Sequence, residues 1–424
     1  MDRRGFIKNA FMLGSAVAVG PTVISCTNRN GKKNESVSPN DEKAGMTLRR
    51  LGKTGLMVSE IGLGAEWLER LDEDGCRQIV DLCDEAGINI VDIWMSEPEV
   101  RTKLGNALKG RREKWFIQGH IGSTWKDGQY FRTRDLALVE PAFEDLLARL
   151  QTDYIDLGMI HYVDDIEEWK AIEGGNDFYK YVLTLKKQGK IRHIGLSTHS
   201  PEVALAAAKS GIIEMMLFSC NPVYDCLPAG TNVFSPDMSL GEGSISKDRA
   251  ELYSYCESHD IGITVMKAYA GGRLLNADTS PFGIALTPVQ CIHYALTRPA
   301  VASIMVGFGE ASHVAQAVAY ESATDEEKDY ASVLASAPKN AYSGACTYCG
   351  HCKPCSQNID IAMVNKLTDL ATIQHEVPAS VKDHYKVLKV HASDCIECGT
   401  CMTRCPFGVD IIKNMQKAVS VFGC

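Results

Sequence analysis

The chain has 424 residues, of which 45% are hydrophobic, so it is long enough for two or more globular domains. The formal net charge is −9 and no basic stripe is present, which argues against nucleic-acid binding. Beyond the N-terminus, the sequence contains neither a run of ~20 apolar residues that would span a membrane nor a repeat at solenoid periods.

The first 26 residues are predicted to be an export signal. Arg3 and Arg4 precede Phe6 and a short apolar run, which is the layout of a signal peptide. The Arg-Arg-x-Phe core resembles a twin-arginine signal, an address that a receptor reads. The run ends in Val-Ile-Ser before Cys26 and resembles a lipobox, so Cys26 would anchor a periplasmic protein to a membrane through a lipid. An uncleaved amphipathic segment is the alternative.

Residues 27–45 are rich in Asn, Lys, Ser, Asp and Glu and lack apolar anchors, so we expect a flexible linker. The remaining chain is predicted to form two domains. Residues 46–325 alternate between strand and helix patterns, and residues 326–424 contain most of the cysteines.

Eight short apolar strands alternate with eight helical patterns in the first of these domains. The strands are predicted at residues 60–64, 88–92, 115–119, 154–161, 191–197, 214–221, 263–267 and 303–306. The helices are predicted at residues 74–86, 98–108, 135–150, 178–188, 201–210, 247–259, 288–297 and 312–319. Continuous apolar strands separated by helices indicate a buried parallel sheet. Eight such units favour a closed (β/α)8 TIM barrel over a doubly wound sheet.

Four segments, at residues 51–64, 86–92, 153–161 and 189–197, resemble the aldo-keto reductase family. The resemblance covers roughly residues 46–320. With the cysteine-rich C-terminus, the chain resembles the iron–sulfur-fused branch of that family. The resemblance implies a barrel that reduces carbonyls with a nicotinamide hydride, using groups at the C-terminal ends of its strands.

The family's catalytic set is Tyr, Lys, Asp and His, in which the Tyr donates the proton. Asp92 matches the Asp and His161 matches the His, but His120 stands near the Lys position and the loop after Asp92 contains no Tyr. The resemblance therefore implies a non-standard catalytic site of Asp92, His120 and His161, with His199 at another strand end. Histidine can transfer protons near neutral pH. A relic pocket, or a metal site of two histidines and a carboxylate, are the alternatives.

The family binds the pyrophosphate of its cofactor with loops after the seventh and eighth strands, where glycines allow close backbone approach. By position, the cofactor-binding residues would be Ser197, Asn221, Gly271, Gly272, Arg273, Gly307 and Gly309. Glu310 stands near the expected place of the adenosine 2′-phosphate and would repel it. NADP(H) is therefore disfavoured, and NAD(H) or no nicotinamide stays open.

Two cysteine runs near the C-terminus contain half of the sixteen cysteines. The first run is Cys346, Cys349, Cys352 and Cys355, and the second is Cys395, Cys398, Cys401 and Cys405. The second run fits the bacterial ferredoxin pattern C-x2-C-x2-C-x3-C-P. Three thiolates, each separated from the next by two intervening residues, let one tight loop reach three corners of a cubane cluster. The fourth ligand must then come from elsewhere.

In two-cluster ferredoxins the fourth cysteine of a run binds the other cluster. The pattern thus implies two 4Fe–4S clusters, one held by Cys346, Cys349, Cys352 and Cys405, the other by Cys395, Cys398, Cys401 and Cys355. Helical patterns after the first run resemble a helical ferredoxin-like domain. Zinc needs only two cysteines per loop, and disulfides within one short loop have poor geometry, so both are weaker alternatives.

Together these features predict an exported oxidoreductase that couples two-electron chemistry on a small carbonyl or alcohol substrate to two clusters and a redox partner protein. The twin-arginine route exports folded proteins, which suits a chain whose clusters are assembled in the cytoplasm. The alternative is an electron-transfer protein whose degenerate barrel is a binding scaffold. A lyase or epimerase with structural clusters is a third interpretation.

Overall fold

The computed structural model describes residues 45–228, 230–231, 233, 240, 245–337, 342–373 and 376–424. The predicted signal at residues 1–26 lies outside these residues, as does the predicted linker except for its last residue. The described residues belong to one compact unit that ends at Cys424. The domain boundary at residue 325 stays a prediction.

Twelve strands are present in the described part of the chain. They are β1 (Leu48–Arg50), β2 (Met57–Ser59), β3 (Ile61–Gly64), β4 (Ile90–Ile93), β5 (Phe116–Ile121), β6 (Ser123–Lys126), β7 (Gln129–Arg132), β8 (Ile155–Ile160), β9 (Ile191–Thr198), β10 (Met215–Ser219), β11 (Gly262–Met266) and β12 (Val301–Gly307). Strands β3, β4, β5, β8, β9, β10, β11 and β12 form a closed barrel, in which β12 pairs in parallel with β3. The predicted TIM barrel is confirmed, and each predicted strand overlaps one of these.

Fifteen α-helices occur among the described residues. They are α1 (Glu73–Ala86), α2 (Pro98–Leu108), α3 (Leu136–Arg149), α4 (Ile166–Glu173), α5 (Asp177–Lys187), α6 (Pro201–Ser210), α7 (Pro222–Asp225), α8 (Lys247–Ser258), α9 (Pro288–Leu296), α10 (Ala311–Val318), α11 (Tyr330–Ala335), α12 (Ile361–Thr372), α13 (Ala379–Lys386), α14 (Thr400–Arg404) and α15 (Ile411–Phe422). No helix in this described set has both the length and the apolar character needed to cross a membrane.

Local sequence signals fix where the barrel helices begin. Ser200 accepts a hydrogen bond from the N–H of Val203 at 3.3 Å and so caps α6. Thr287 and Gln290 form a reciprocal capping box at the start of α9. Such caps satisfy N–H groups that have no acceptor inside the helix. They explain why helix starts are readable from the sequence, and α2 and α6 begin and end where predicted.

The β1–β2 hairpin closes the N-terminal end of the barrel. Leu51 and Val58 are fully buried and pack with inward-facing barrel residues such as Leu157 and Met215. This end is filled with apolar side chains, so the opposite end of the barrel is the one left to form a pocket.

The C-terminal segments pack on the outer helices of the barrel. The Ser254 hydroxyl in α8 donates to the carbonyl of Leu370 in α12 at 3.1 Å. The Tyr342 hydroxyl donates to the carbonyl of Pro222 at 2.7 Å. Within the cysteine-rich part, α12 and α15 pack against each other. The barrel and the cysteine-rich segments therefore share a buried interface.

Candidate functional site

A cavity of about 500 Å³, here called the barrel pocket, opens at the C-terminal ends of the barrel strands. Active sites of (β/α)8 barrels lie on this face. The predicted catalytic residues Asp92, His120 and His161 all line it, on β4, on β5 and immediately after β8. They are 4%, 2% and 4% exposed, respectively. The structure therefore brings the three predicted residues together in a nearly dry site.

Asp92, His120 and His161 form a continuous hydrogen-bonded chain. His120 Nε2 lies 2.9 Å from Asp92 Oδ1, and His120 Nδ1 lies 2.7 Å from His161 Nδ1. Gln118, two residues before His120 on β5, donates from Nε2 to Asp92 Oδ1 at 2.9 Å. Side chains two apart on a strand share a face, so β5 directs both residues to Asp92.

The described residues contain no group of three His, Cys, Asp or Glu side chains arranged to hold a single metal ion. Asp92, His120 and His161 are instead spread along a line of hydrogen bonds, with the two histidine rings 4.9 Å apart. Because they are hydrogen-bonded to one another in series, we interpret these three residues as acid–base groups.

Tyr130, which belongs to a separate loop, extends this hydrogen-bonded chain by one residue. Tyr130 Oη lies 2.7 Å from His161 Nε2, and Tyr130 lines the barrel pocket. Its ring stands edge-on to Trp94 at 5.4 Å, and Trp94 is stacked parallel to the His161 ring at 6.1 Å. The loop after Asp92 contains no Tyr, as the sequence indicates, but Tyr130 reaches the same site from a different loop.

Tyr130 belongs to the β6–β7 hairpin, which lies between β5 and α3. Asp127 and Gly128 form its two-residue turn, with φ values of 52° and 75°. Positive φ at both positions is typical of a type I′ turn, which favours Asp-Gly. An Asp-Gly pair between two short strand-like runs predicts a hairpin from sequence alone. The sequence therefore carried the signal for this element, although not for its contact with His161.

Two arginines hold the hairpin over the end of β8. Arg132 and Arg134 both pair with Glu168, at 2.8 and 2.9 Å. Arg132 also donates to the carbonyl of Tyr162 at 2.9 Å. These contacts fix the strand that carries Tyr130 relative to His161.

Burial sets the charge states of Tyr130 and His161, the two residues at the pocket end of this hydrogen-bonded chain. It raises the pKa of the Tyr130 phenol to about 12. It also lowers the pKa of His161 well below its ordinary value, and the nearby positive charges of Arg134 and Arg132 add to this effect. Tyr130 and His161 are therefore both neutral at neutral pH.

His199 also lines the barrel pocket, but it is not part of the hydrogen-bonded chain of side chains. Its backbone N–H and its Nδ1 both contact the Asp164 carboxylate, at 2.6 and 3.1 Å. Its ring stands edge-on to Tyr162 at 5.2 Å. His199 thus adds a polar group to the pocket wall.

The predicted cofactor residues divide into two groups. Ser197, Gly271, Gly272 and Gly307 line the barrel pocket. Arg273, Gly309 and Asn221 are not among the described residues that line it.

Asn221 is a helix cap in the structure, which differs from the cofactor-binding role expected from its position. It is fully buried, its Oδ1 caps α7 by accepting two backbone N–H groups at 2.9 Å, and its Nδ2 donates to the carbonyl of Lys267 at 2.8 Å. Its oxygen and one of its amide hydrogens are engaged by the backbone, and it does not line the barrel pocket, so the structure does not place it beside a cofactor in that pocket.

Trp67 covers the loop that follows the last barrel strand. A Cβ atom placed on Gly307 would lie 2.2 Å from the indole Cδ1, and one placed on Gly309 would lie 3.1 Å from the indole Cε3. At Gly271 and Gly272 the same space is open. The residues therefore fit a dinucleotide at the first glycine loop. They fit one at the second loop only if the Trp67 indole moves.

Four of the predicted cluster ligands surround one cavity, here called the second cluster cavity. Cys355, Cys395, Cys398 and Cys401 line it, and its volume is about 280 Å³. The structure therefore brings together, around one cavity, the four cysteines predicted for the second cluster.

The other four predicted ligands are also neighbours. Cys405 is among the groups whose charge raises the pKa of both Cys349 and Cys352, although burial is the larger cause. The Cys346 thiol is buried as well, which raises its pKa to about 12. Metal binding requires the thiolate form, so iron binding would release protons from these thiols.

Buried polar atoms without a described acceptor or donor gather beside this first set of cysteines. Among them are His351 Nδ1 and the Nε and Nη1 atoms of Arg298. Arg298 is 1% exposed and donates from Nη2 to the carbonyl of Thr347 at 2.5 Å. Unsatisfied buried donors are costly, so their position favours a negatively charged group such as a cluster at this site.

Comparisons with known proteins agree with both halves of the chain. The profile of the Aldo/keto reductase family matches residues 60–285, which is slightly more than half of the chain. The profile of a 4Fe-4S dicluster domain matches residues 345–410. The second match supports iron–sulfur clusters as the occupants of the cysteine sites.

Curated relatives cover part of the barrel. The Uncharacterized oxidoreductase YqkF of Bacillus subtilis is 32% identical over 180 residues, covering 41% of this chain and 56% of YqkF. Methylglyoxal reductase DkgA of Yersinia pestis is 30% identical, covering 39% of this chain and 56% of that protein. L-galactose dehydrogenase of Arabidopsis thaliana is 26% identical, covering 64% and 87%. The chain spans little more than half the length of the first two.

Solved structures support the barrel assignment. An aldo-keto reductase from Pseudomonas aeruginosa is 26% identical with a TM-score of 0.51, covering 66% of this chain and 97% of that one. The holo form of AKR11C1 from Bacillus halodurans is 24% identical with a TM-score of 0.52, covering 67% and 94%, and supports the fold alone. On its barrel, its strand-end site and its sequence match, this chain belongs to the aldo/keto reductase family.

Proposed function

We propose that this protein is an oxidoreductase that carries out a two-electron reaction on a small carbonyl or alcohol compound in the barrel pocket. The electrons are exchanged with two 4Fe–4S clusters. The carrying observation is the hydrogen-bonded chain of acid–base groups that opens into the pocket, in the same compact unit as a cavity ringed by four cysteines. Acid–base groups and electron carriers are the two requirements of carbonyl–alcohol interconversion.

The names of two relatives support this class of substrate. A methylglyoxal reductase acts on a small carbonyl compound, and an L-galactose dehydrogenase acts on a sugar. The barrel pocket offers polar contacts of the kind such compounds need, from Tyr130, His161 and His199.

The clusters, when bound, supply one-electron transfer to and from the barrel. Cys398 is exposed, and the neighbouring Ile396 is 61% exposed. The second cluster would therefore lie close to the protein surface, where a redox partner protein can approach it. The first set of cysteines lies against the barrel, through Arg298 and Thr347.

The test uses anaerobically reconstituted full-length protein whose iron content has been measured. Methylglyoxal and L-galactose are each added with NADH, with NADPH and without nicotinamide. Nicotinamide absorbance and the EPR signal of the clusters are followed together. We expect eight irons per chain and a compound-dependent change in cluster oxidation state.

A protein that binds eight irons but responds to neither compound in any combination would overturn the enzymatic proposal. That result would favour the electron-transfer protein with a barrel scaffold. Fewer than eight irons would contradict the two-cluster assignment.

We also propose export by the twin-arginine route to the periplasm, with a lipid on Cys26. The support is the sequence around Arg3, Arg4 and Cys26. Changing both arginines to lysine should leave the iron-loaded protein in the cytoplasm. Changing Cys26 to Ala should release the exported protein from the membrane fraction. Unchanged fractionation of either variant would contradict the corresponding part of the proposal.

A further inference from the structure

We propose that Tyr130, His161, His120 and Asp92 form a proton relay that carries the proton of a substrate hydroxyl from the barrel pocket to Asp92. Tyr130 is the catalytic residue that contacts the substrate oxygen, and the other three act through it. This inference rests on the proposed function and deepens it, because it names the groups that move the proton.

The inner end of the relay fixes the direction of its hydrogen bonds. Asp92 Oδ1 accepts from Gln118 Nε2 at 2.9 Å, and Gln118 is held in that orientation because its Oε1 accepts from the Thr264 hydroxyl at 2.8 Å. An ionised carboxylate only accepts hydrogen bonds. His120 must therefore carry its hydrogen on Nε2 and donate it to Asp92.

The remaining hydrogens follow in order. A neutral histidine with its hydrogen on Nε2 has a bare Nδ1, so the 2.7 Å contact between the two Nδ1 atoms requires a hydrogen on His161 Nδ1. His161 Nε2 is then bare and accepts the hydroxyl hydrogen of Tyr130 at 2.7 Å. Every donor in the chain thus points towards Asp92, and the Tyr130 oxygen is free to accept from a substrate.

The proton transfer balances without any further reactant. The substrate O–H bond breaks and its proton joins Tyr130 Oη, while the Tyr130 proton passes to His161 Nε2. The His161 Nδ1 proton passes to His120 Nδ1, and the His120 Nε2 proton passes to Asp92. The products are a substrate alkoxide and a neutral Asp92 carboxylic acid. The reverse sequence delivers a proton to a carbonyl oxygen during reduction.

The surroundings of His161 favour transfer of the proton through this residue over its retention there. Burial is the main cause of the lowered pKa of His161, and the positive charges of Arg134 and Arg132 lower it further. A stable imidazolium at His161 is therefore disfavoured. Asp92, at the inner end, is the carboxylate that receives the proton.

Histidine tautomers provide a test that needs no substrate. The holoprotein with oxidised clusters is labelled with ¹⁵N-histidine, and the ring nitrogens are assigned by comparison with His120→Asn and His161→Asn. We expect a hydrogen on Nε2 of His120 and on Nδ1 of His161 near neutral pH. The opposite tautomer at either residue, or a doubly protonated ring, would overturn the relay.

Kinetics with methylglyoxal or L-galactose test the catalytic consequence. General acid–base groups contribute typically 10²–10⁴-fold, so Tyr130→Phe should lower kcat at least about 100-fold. Asp92→Asn keeps the size of the side chain but cannot take the proton, so kcat should fall by about tenfold or more with KM little changed.

Two variants outside the pocket are the matched controls. Phe131→Leu changes the neighbouring hairpin residue, which is 41% exposed, and Asp156→Asn makes the same carboxylate-to-amide change on β8. Both should retain kcat. If Asp92→Asn also retains it while Tyr130→Phe loses it, the relay is overturned and the proposed function stands. If neither compound reacts with the wild-type protein or any variant, the proposed function fails. The relay is then tested by the ¹⁵N-histidine tautomer measurement.

Discussion

Asp225 is a carboxylate with no exposed side-chain surface, at the junction between the barrel and the C-terminal segments. It accepts hydrogen bonds from the hydroxyls of Tyr253 and Tyr294 at 2.7 Å each, and Arg249 lies 3.4 Å away. Tyr294 in turn contacts the Tyr342 hydroxyl at 2.8 Å. One buried charge therefore organises polar groups from several segments.

Replacing Asp225 with Ala should destabilise the protein by about 3–5 kcal/mol, because the buried Arg249 would lose its counter-charge. Urea unfolding of the holoprotein measures this change. Asp177→Ala is the control, since Asp177 is 82% exposed and its ion pair with Lys180 lies on the surface. Equal stabilities of the two variants would contradict this interpretation of Asp225.

Two arginines offer a way to address the two clusters separately. Arg298 is buried beside Thr347, between two ligands of the first set. Arg404 lines the second cluster cavity and donates to the carbonyl of Pro354 at 2.6 Å. Cluster potentials depend on nearby charge and hydrogen bonds.

Arg298→Gln should lower the reduction potential of the first cluster, because a reduced cluster carries one more negative charge and loses a neighbouring cation. Arg404→Gln should do the same to the second cluster. We expect shifts on the order of 60 mV, a tenfold change for a one-electron couple. EPR-monitored redox titration measures both, and identical titration curves for the two variants would refute the assignment.

Among the structural elements, the β6–β7 hairpin matters most for the site. Its Asp127-Gly128 turn positions Tyr130 against His161, and Gly128 has φ of 75° with open space where a Cβ would lie. A β-branched side chain is strained in that conformation.

Gly128→Val should therefore displace Tyr130 and lower kcat/KM at least tenfold, while the barrel stays folded because the hairpin lies outside it. Gly175→Val is the matched control, since Gly175 also has positive φ (83°) and open surroundings but lies between α4 and α5. Activity assays and circular dichroism on both variants decide the matter. Equal activity would show that the turn does not position Tyr130.

The barrel elements were predictable because their signals are local. Apolar runs mark the strands, and caps such as Ser200 and Thr287 mark the helix starts. Asp92, His120 and His161 were predictable as a group because parallel strands end at one face of a barrel.

Contacts between distant segments were not predictable in the same way. The role of Tyr130 depends on how a side hairpin folds back over β8, which no periodicity records. Asn221 was expected at a cofactor because of its strand-end position, but its side-chain oxygen accepts the two backbone N–H groups at the start of α7. The role of the Asn221 side chain is therefore set by helix capping, which its position at a strand end does not predict.

At the scale of the whole molecule, the barrel and the cysteine-rich segments form one compact unit. Tyr342 and Arg298 join them through buried hydrogen bonds. The ligands predicted for the first cluster come from two separated stretches, around residues 346–352 and at Cys405. Cluster binding would therefore tie together segments that also contact the barrel.

Removal of iron should lower the Tm of the entire unit by several degrees, because a group bound only by the folded state stabilises that state. Calorimetry of holoprotein and chelator-treated protein measures the change. Reconstitution with iron and sulfide is the control and should restore the original Tm. A barrel transition that is insensitive to iron would contradict coupling between the two parts.

Trp67 has a practical consequence for the nicotinamide question. Its indole lies on Gly307, is 37% exposed, and has the Arg70 guanidinium 4.0 Å above its ring. A dinucleotide seated on that loop must lift the indole from both neighbours, which changes the polarity around a fluorescent side chain. Binding of a dinucleotide at this loop should therefore change the fluorescence emission of Trp67. The Trp67→Phe variant should not show this change.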